Sequence, residues 1–403
     1  MTTFGVPLDQ VNAAHLESLR TNAVAEGRQL EYKEQLPISV DDDKREFLAD
    51  VTSFANTAGG DIIYGVREAR DAADKQTGIP EKIVGLAGIN IEQLKLTLDN
   101  LLRDAVDPRV PGIALQTIPR GSEPPCLLVR APKSALGLHM VTFKGLGRFY
   151  GRGTAGRYVL DRAQIRDGFV AADTAVDRVR RFRRERLAAV LSGDTPIPIG
   201  TRPKAIFHAL PLAAAPDTWA RFLTGNESNK LAVDLPTLES AASIDWRYNL
   251  DGFVVHTARR DLETQSYVQV FRDGGIEAVS PNVVAIASNE QGFYGLPLER
   301  AMIAGMAAYQ RLWAAVGVTG PVMAALALSG IKGAAILAGP QYGFDPKPFT
   351  VDVVNVPDVV ILDATMPSDQ ALKPLVDIVW NGGGWPRSPF YDDATGKWMP
   401  PRR

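Results

Sequence analysis

The chain reads as an α+β protein of two domains joined by a basic helix, on three observations. Its 403 residues are enough for two cores. Helical stripes and short apolar strand runs occur in both halves. Between them, Gly193 to Pro203 carries three prolines and reads as a linker. The expected division is 1–173, a linker over 174–202, and a second α+β domain over 203–403.

The elements follow from local pattern. Residues 9–22 read as a short helix. Asp41, Asp42 and Asp43 offer N-terminal caps for a second, whose Phe47, Leu48, Val51, Phe54 and Ala55 share one face. Gly59 and Gly60 end it. Ile62, Ile63, Tyr64 and Val66 read as a strand, 69–81 as a polar surface loop, and Ile91 to Leu102 as a third helix. Leu115–Ile118 and Leu127–Val129 read as strands about the 121–125 turn. Asp161 caps a closing helix over 162–171, and 174–191 reads as a separate basic helix. In the second half, 207–212 and 253–257 read as strands, and 267–271 turns at Asp273-Gly274 into a hairpin. Pro297 opens a helix to about Val316. Strands near 322–328, 334–338 and 350–354 precede a last helix over 369–380.

Composition bounds the function. An apolar fraction of 45% and a mean hydropathy of -0.06 are those of a soluble globular protein. The single cysteine, Cys126, excludes an internal disulfide and a cysteine-based zinc site, and fits a reducing cytoplasm. Met1 to Gly5 lacks the basic-then-apolar pattern of a signal peptide. The most apolar run, Val322 to Leu337, is broken by Ser329, Gly330, Lys332 and Gly333, so no bilayer span is expected. The net charge of -2 hides basic residues gathered from Lys144 to Arg186, which offer either a phosphate-binding face or a solvated helix face.

The most informative stretch is Ser53 to Val66, where a helix ends at Asn56-Thr57-Ala58-Gly59-Gly60 and turns into a strand closing on Gly65-Val66. Glu26, Glu31, Tyr32 and Lys33 lie upstream, and Glu68 just beyond. Three converging glutamates can hold Mg²⁺ or Mn²⁺ for phosphodiester hydrolysis. Alternatively Glu31 and Lys33 are a surface ion pair. The Asn-Thr-x-Gly-Gly corner is explained by backbone geometry alone, or by the need to bring the Glu68 strand beside Glu31. A second stretch, Gly151-Arg152-Gly153-Thr154, offers amides, a hydroxyl and a guanidinium to phosphate, or is simply a turn. A lone histidine such as His139 is more often structural. Neither His208 nor His256 in the second half has catalytic partners in the pattern. Trp246-Arg247-Tyr248 and the tryptophans of the tail read first as core or contact residues.

Together these motifs resemble the Schlafen AlbA-type domain over about residues 17–171. The Glu26-x4-Glu31-Tyr32-Lys33 run, the Asn-Thr-x-Gly-Gly corner and the Phe149-x-Gly151-Arg152-Gly153-Thr154 end carry the resemblance. Leu138 stands where the family has proline, and Glu68 where its nucleases have aspartate. The resemblance implies a metal-dependent nuclease acting on RNA, tRNA above all, in bacteria as a defence against phage. Glu26, Glu31 and Glu68 would hold Mg²⁺ or Mn²⁺, Lys33 would stabilise phosphate charge, and Lys133, His139, Arg148, Arg152, Arg157, Arg180 and Arg184 would contact nucleic acid. A non-catalytic DNA- or RNA-binding regulator is the alternative. An ATP-binding role is third, since the chain has no Gly-x4-Gly-Lys-Ser/Thr loop. Family nuclease cores pair two such lobes and this chain carries one, which implies a homodimer.

Overall fold

The computed structural model describes residues 3–4, 8–36, 38–154, 156–213, 235–239, 244–258, 265–284, 292–316, 318, 320–339, 342, 345 and 347–401. Helices and sheets occur together, an α+β fold. The chain divides into two compact units, Met1–Ala175 and Val176–Arg403.

In the first unit α1 (Ala13–Thr21) precedes β1 (Leu30–Lys33), α2 (Asp41–Ala55) and β2 (Gly60–Tyr64). The order β1-β2-β7-β6 forms a four-stranded sheet with β6 (Ala114–Arg120) and β7 (Glu123–Ala131). Strand alternation sends side chains to opposite faces. Ile62, Tyr64, Leu127 and Val129 therefore join a core with Phe47, Leu48, Val51 and Phe54 of α2 and with Leu94 and Leu98 of α3 (Ile91–Ala105). Ile63, Cys126 and Leu128 face the other way, onto Leu16 and Leu19 of α1. Cys126 is a buried free thiol.

Three expectations for this unit are corrected. The 69–81 segment is not a loop: β3 (Val66–Arg70) and β4 (Gln76–Ile83) form an antiparallel hairpin. Its polar pattern reflects exposure of most of β4 and of Arg67 and Arg70 on β3. The strand read through Val66 breaks at Gly65, where φ is +97°. Asp41, Asp42 and Asp43 fill the first turn of α2 rather than capping it, although the Asp43 carboxylate accepts from the Val40 amide at 3.4 Å. A second sheet, β10-β9-β8-β5, is built from β5 (Val106–Asp107), β8 (Met140–Val141), β9 (Arg148–Gly153) and β10 (Gly156–Val159).

The closing helix and the basic helix are one, α4 (Arg162–Ser192), because Ala172-Asp173 contains no helix breaker. In the second unit, β11 (Lys204–Pro211), β12 (Ile244–Asn249), β13 (Gly252–Thr257), β14 (Tyr267–Phe271), β15 (Ile276–Ser280), β17 (Val322–Ser329) and β19 (Val353–Asn355) form a sheet ordered β12-β13-β14-β15-β11-β17-β19. β20 (Val359–Ile361) also pairs with β17, and β16 (Gly292–Tyr294) pairs with β18 (Ala335–Leu337). One sheet face packs on α5 (Gly295–Val316) and α6 (Ser368–Gly382). The other, with Ile206, Val254 and Tyr267, packs on Leu187 and Val190 of α4. Trp246 lies on β12 against Phe253, and Trp380 and Trp385 are buried in the core, as their structural reading requires.

Candidate functional site: a carboxylate and guanidinium cluster

The Asn-Thr-x-Gly-Gly corner builds the site by joining distant strands. Gly60 lies so close to the Phe54 ring and to the Gln29 carbonyl that a Cβ there would sit 2.4 and 2.6 Å from them. That approach lets β2 run parallel to β1, pairing Glu31 with Ile62 and Lys33 with Tyr64. The Asn56 amide donates to the carbonyls of His139 and Tyr150 at 3.0 and 2.9 Å and accepts from the His139 amide at 2.7 Å. The Thr57 hydroxyl accepts from the Arg152 amide at 2.9 Å. These bonds hold β9, and so Arg152, over the end of β1.

Glu31 is buried and engaged at both oxygens: Oε1 lies 3.0 Å from Lys33 Nζ, and Oε2 pairs with Arg152. The Arg152 guanidinium is buried too, stacks over the Phe54 ring at 4.3 Å and donates to the Gly27 carbonyl at 3.2 Å. Lys33 also reaches Glu46 at 2.9 Å and Asp50 at 3.7 Å. Burial works against its charge, but Asp50, Glu31 and Glu46 outweigh it and hold its pKa above the ordinary range.

Glu26 and Glu68 complete the acidic side. Glu26 Oε1 accepts from the Tyr32 amide at 2.5 Å, and the Glu26 amide donates to the Gly78 carbonyl at 2.7 Å. Glu68 accepts from the Gly78 amide at 2.9 Å and from Gln76 at 3.1 Å. The hairpin thus carries Glu68 to the Glu26 loop. Burial pushes the Glu26 carboxyl up to about 7, helped by the charges of Glu68 and Glu31 and opposed by the Tyr32 amide. Burial also raises Glu68, with Glu31 adding and the Gly78 amide opposing.

The metal set expected from sequence is not assembled as three ligands. Among the described residues no group of three or more His, Cys, Asp or Glu side chains is arranged to hold a metal ion. The physical reason is local: Glu31 already neutralises Arg152 and Lys33.

The expected phosphate contacts separate into three kinds. Lys133, Arg148 and Arg184 are exposed. Arg157 and Arg180 are ion-paired, to Asp50 at 2.5 Å and to Asp358 at 3.1 Å. Arg152 and His139 are buried, which corrects their reading as nucleic-acid contacts. The His139 imidazole has its Nδ1 2.6 Å from the Pro108 carbonyl, and burial lowers its pKa against that contact. The arginines of the basic helix do not all face outward either. Arg183 donates to the carbonyls of Leu326 and Val356 at 3.1 and 2.9 Å, and Arg186 forks onto buried Glu277 at 3.1 and 2.9 Å.

Glu46 and Asp50 escaped the sequence reading. Their signal was a charge inside the apolar stripe of α2: Asp50 lies between Leu48 and Val51 and is 1% exposed.

Residues 26–158 match the family model described as Schlafen, AlbA_2. Among solved structures, the N-terminal domain of a protein named as related to the ATP-dependent DNA helicase RecG, from Nitrosomonas europaea, is 19% identical. That match covers 30% of this chain and 71% of that one, with a TM-score of 0.22. The DIP2311 protein of Corynebacterium diphtheriae is 18% identical, over 38% of this chain and 27% of that one, with a TM-score of 0.25. No curated protein matches the chain. No helix among the described residues is long and apolar enough to cross a membrane.

Proposed function

We propose that the unit whose residues 26–158 match the Schlafen, AlbA_2 family model is nucleic-acid-related, binds RNA and cleaves its phosphodiester backbone at the Glu26, Glu31 and Glu68 cluster. One observation carries the reading: the sequence-distant Glu26 and Glu68 meet at Gly78, beside the Lys33–Glu31–Arg152 ion pairs, and Glu26 is pushed up to about 7. Carboxyls raised by burial and by one another take up a cation in exchange for a proton. Mg²⁺ needs only one or two protein carboxylates, with waters and substrate phosphate filling the rest. Glu26 and Glu68 would hold it, and bound there it supplies charge neutralisation and an activated water.

The chain's own residues do the rest. Lys33 stays protonated and offers its ammonium to the phosphate. Buried Arg152 fixes the Glu31 carboxylate and thereby the position of Lys33. The exposed Lys133 and Arg148 are candidates to hold the backbone by charge, as phosphate contacts do. The tRNA preference, the defence role and a homodimer pairing two such units belong to the same proposal.

Binding without catalysis is the second reading. It is favoured by the neutralisation of Glu31 in its ion pairs with Lys33 and Arg152. Purified protein incubated with tRNA and with single-stranded DNA, in Mn²⁺ or in EDTA, separates the two. The nuclease reading expects RNA cleavage in Mn²⁺ only, lost in Glu31→Ala. Cleavage unaffected by that substitution, or absent from both substrates, overturns it.

A further inference from the structure

Asp50 has a role that packing does not account for. It projects from α2 into a site where it is 1% exposed, yet it is a carboxylate. Taking a charge out of water costs several kcal/mol, on the order repaid only by good partners, and an apolar residue there is often as stable. Its partners are two cations, Arg157 and Lys33. Asp50 Oδ1 meets Arg157 of β10 at 2.5 Å, and Oδ2 lies 3.7 Å from Lys33 with no hydrogen-bond donor of its own. Glu46, one turn earlier on the same helix, shares them: its carbonyl accepts from Arg157 at 3.3 Å and its carboxylate from Lys33 at 2.9 Å. Arg157 is nonetheless one-third exposed at its side chain, and Lys33 28% exposed. Both cations border water while their charge is drawn inward.

We propose that Asp50 is a positioning residue that withholds Arg157 from phosphate and steadies Lys33 beside Glu31, so that Lys33 is the cation of this pair that meets the substrate. This rests on the RNA-binding reading above. A nucleic-acid surface with every cation free binds tightly and without alignment; tying one cation to the helix leaves a single donor in register with the carboxylates.

The test is RNA affinity in EDTA across a salt series, by filter binding, for the wild type, Asp50→Asn, Arg157→Gln and the double variant. The slope of log affinity against log salt counts the phosphates neutralised, at about 0.7–0.9 per charge. Asp50→Asn frees Arg157, so its slope is expected to steepen by about one such step, with tighter binding at low salt. Arg157→Gln alone is expected to keep the wild-type slope, and the double variant to return to it. A purely structural Asp50 would lower the melting temperature and leave every slope alone. Wild-type binding with an unchanged Asp50→Asn slope overturns this inference alone, as does a shallower slope in Arg157→Gln, which also decides the matter if Asp50→Asn does not fold. No RNA binding by the wild type at low salt overturns the functional reading and this inference with it.

Discussion

Arg152 and Glu31 form a buried ion pair, and Lys33 meets the other Glu31 oxygen. Removing one side of such a pair strands the other, at a cost of about 3–5 kcal/mol. Arg152→Ala is expected to lose about that much in urea unfolding, and Arg152→Ala with Glu31→Gln markedly less. The second unit offers a titration test. Glu299 is buried among Trp380, Ser388 and Trp398, and burial pushes its carboxyl up to about 7 from the ordinary 4.5, against those donors. A carboxyl that binds its proton more tightly when folded loses stability as pH rises through the interval between the two values. The shift corresponds to about 3 kcal/mol. Thermal melting from pH 4 to 8 is expected to fall across this window, and a Glu299→Gln chain is expected to lack that component. Among individual residues, Glu26, Glu31, Lys33 and Glu68 were singled out by resemblance to the family's motif rather than by spacing alone, and the fold brings Glu26 and Glu68 to Gly78. Arg152 and His139 were misread as contacts because sequence shows a cation or an imidazole but not whether a strand turns it inward.

The β3–β4 hairpin is the element on which the acidic side depends. Gly78 has φ of +72°, donates to Glu68 and accepts from the Glu26 amide. A Cβ there would lie 3.3 Å from the Glu26 Cβ. Gly78→Ala is expected to cost about 1–2 kcal/mol for the left-handed backbone and to reduce cleavage, whereas the exposed Thr77→Ala should change cleavage little; unfolding and turnover measured on the same samples compare them. The hairpin was missed in sequence because both strands are polar and few of their residues are buried, leaving no apolar alternation to read. The helix α2, by contrast, was legible through its apolar stripe, and the Gly59-Gly60 stop fixed its end. The boundary drawn inside α4 failed for the opposite reason. The composition turns basic beyond residue 173 and this looked like a change in structure, although nothing at Ala172-Asp173 stops a helix.

The molecule joins a unit with a recognisable domain to a larger one whose buried tryptophans and Glu277–Arg186–His208 network read as structure. Its α+β class was legible because helical and strand periods both recur in it, while the polar edge strand β12 was not. Pairing of two first units predicts a solution mass of twice 43.6 kDa, and light scattering near 43.6 kDa with and without RNA contradicts it. The functional proposal itself turns on whether Glu26 and Glu68 share a cation. Titration with Mn²⁺, followed by the electron paramagnetic resonance of the free ion, measures this directly. The proposal predicts one bound ion per chain in the wild type and none in Glu26→Gln with Glu68→Gln at the same concentrations. Equal uptake by the two proteins, or none by the wild type, would contradict it.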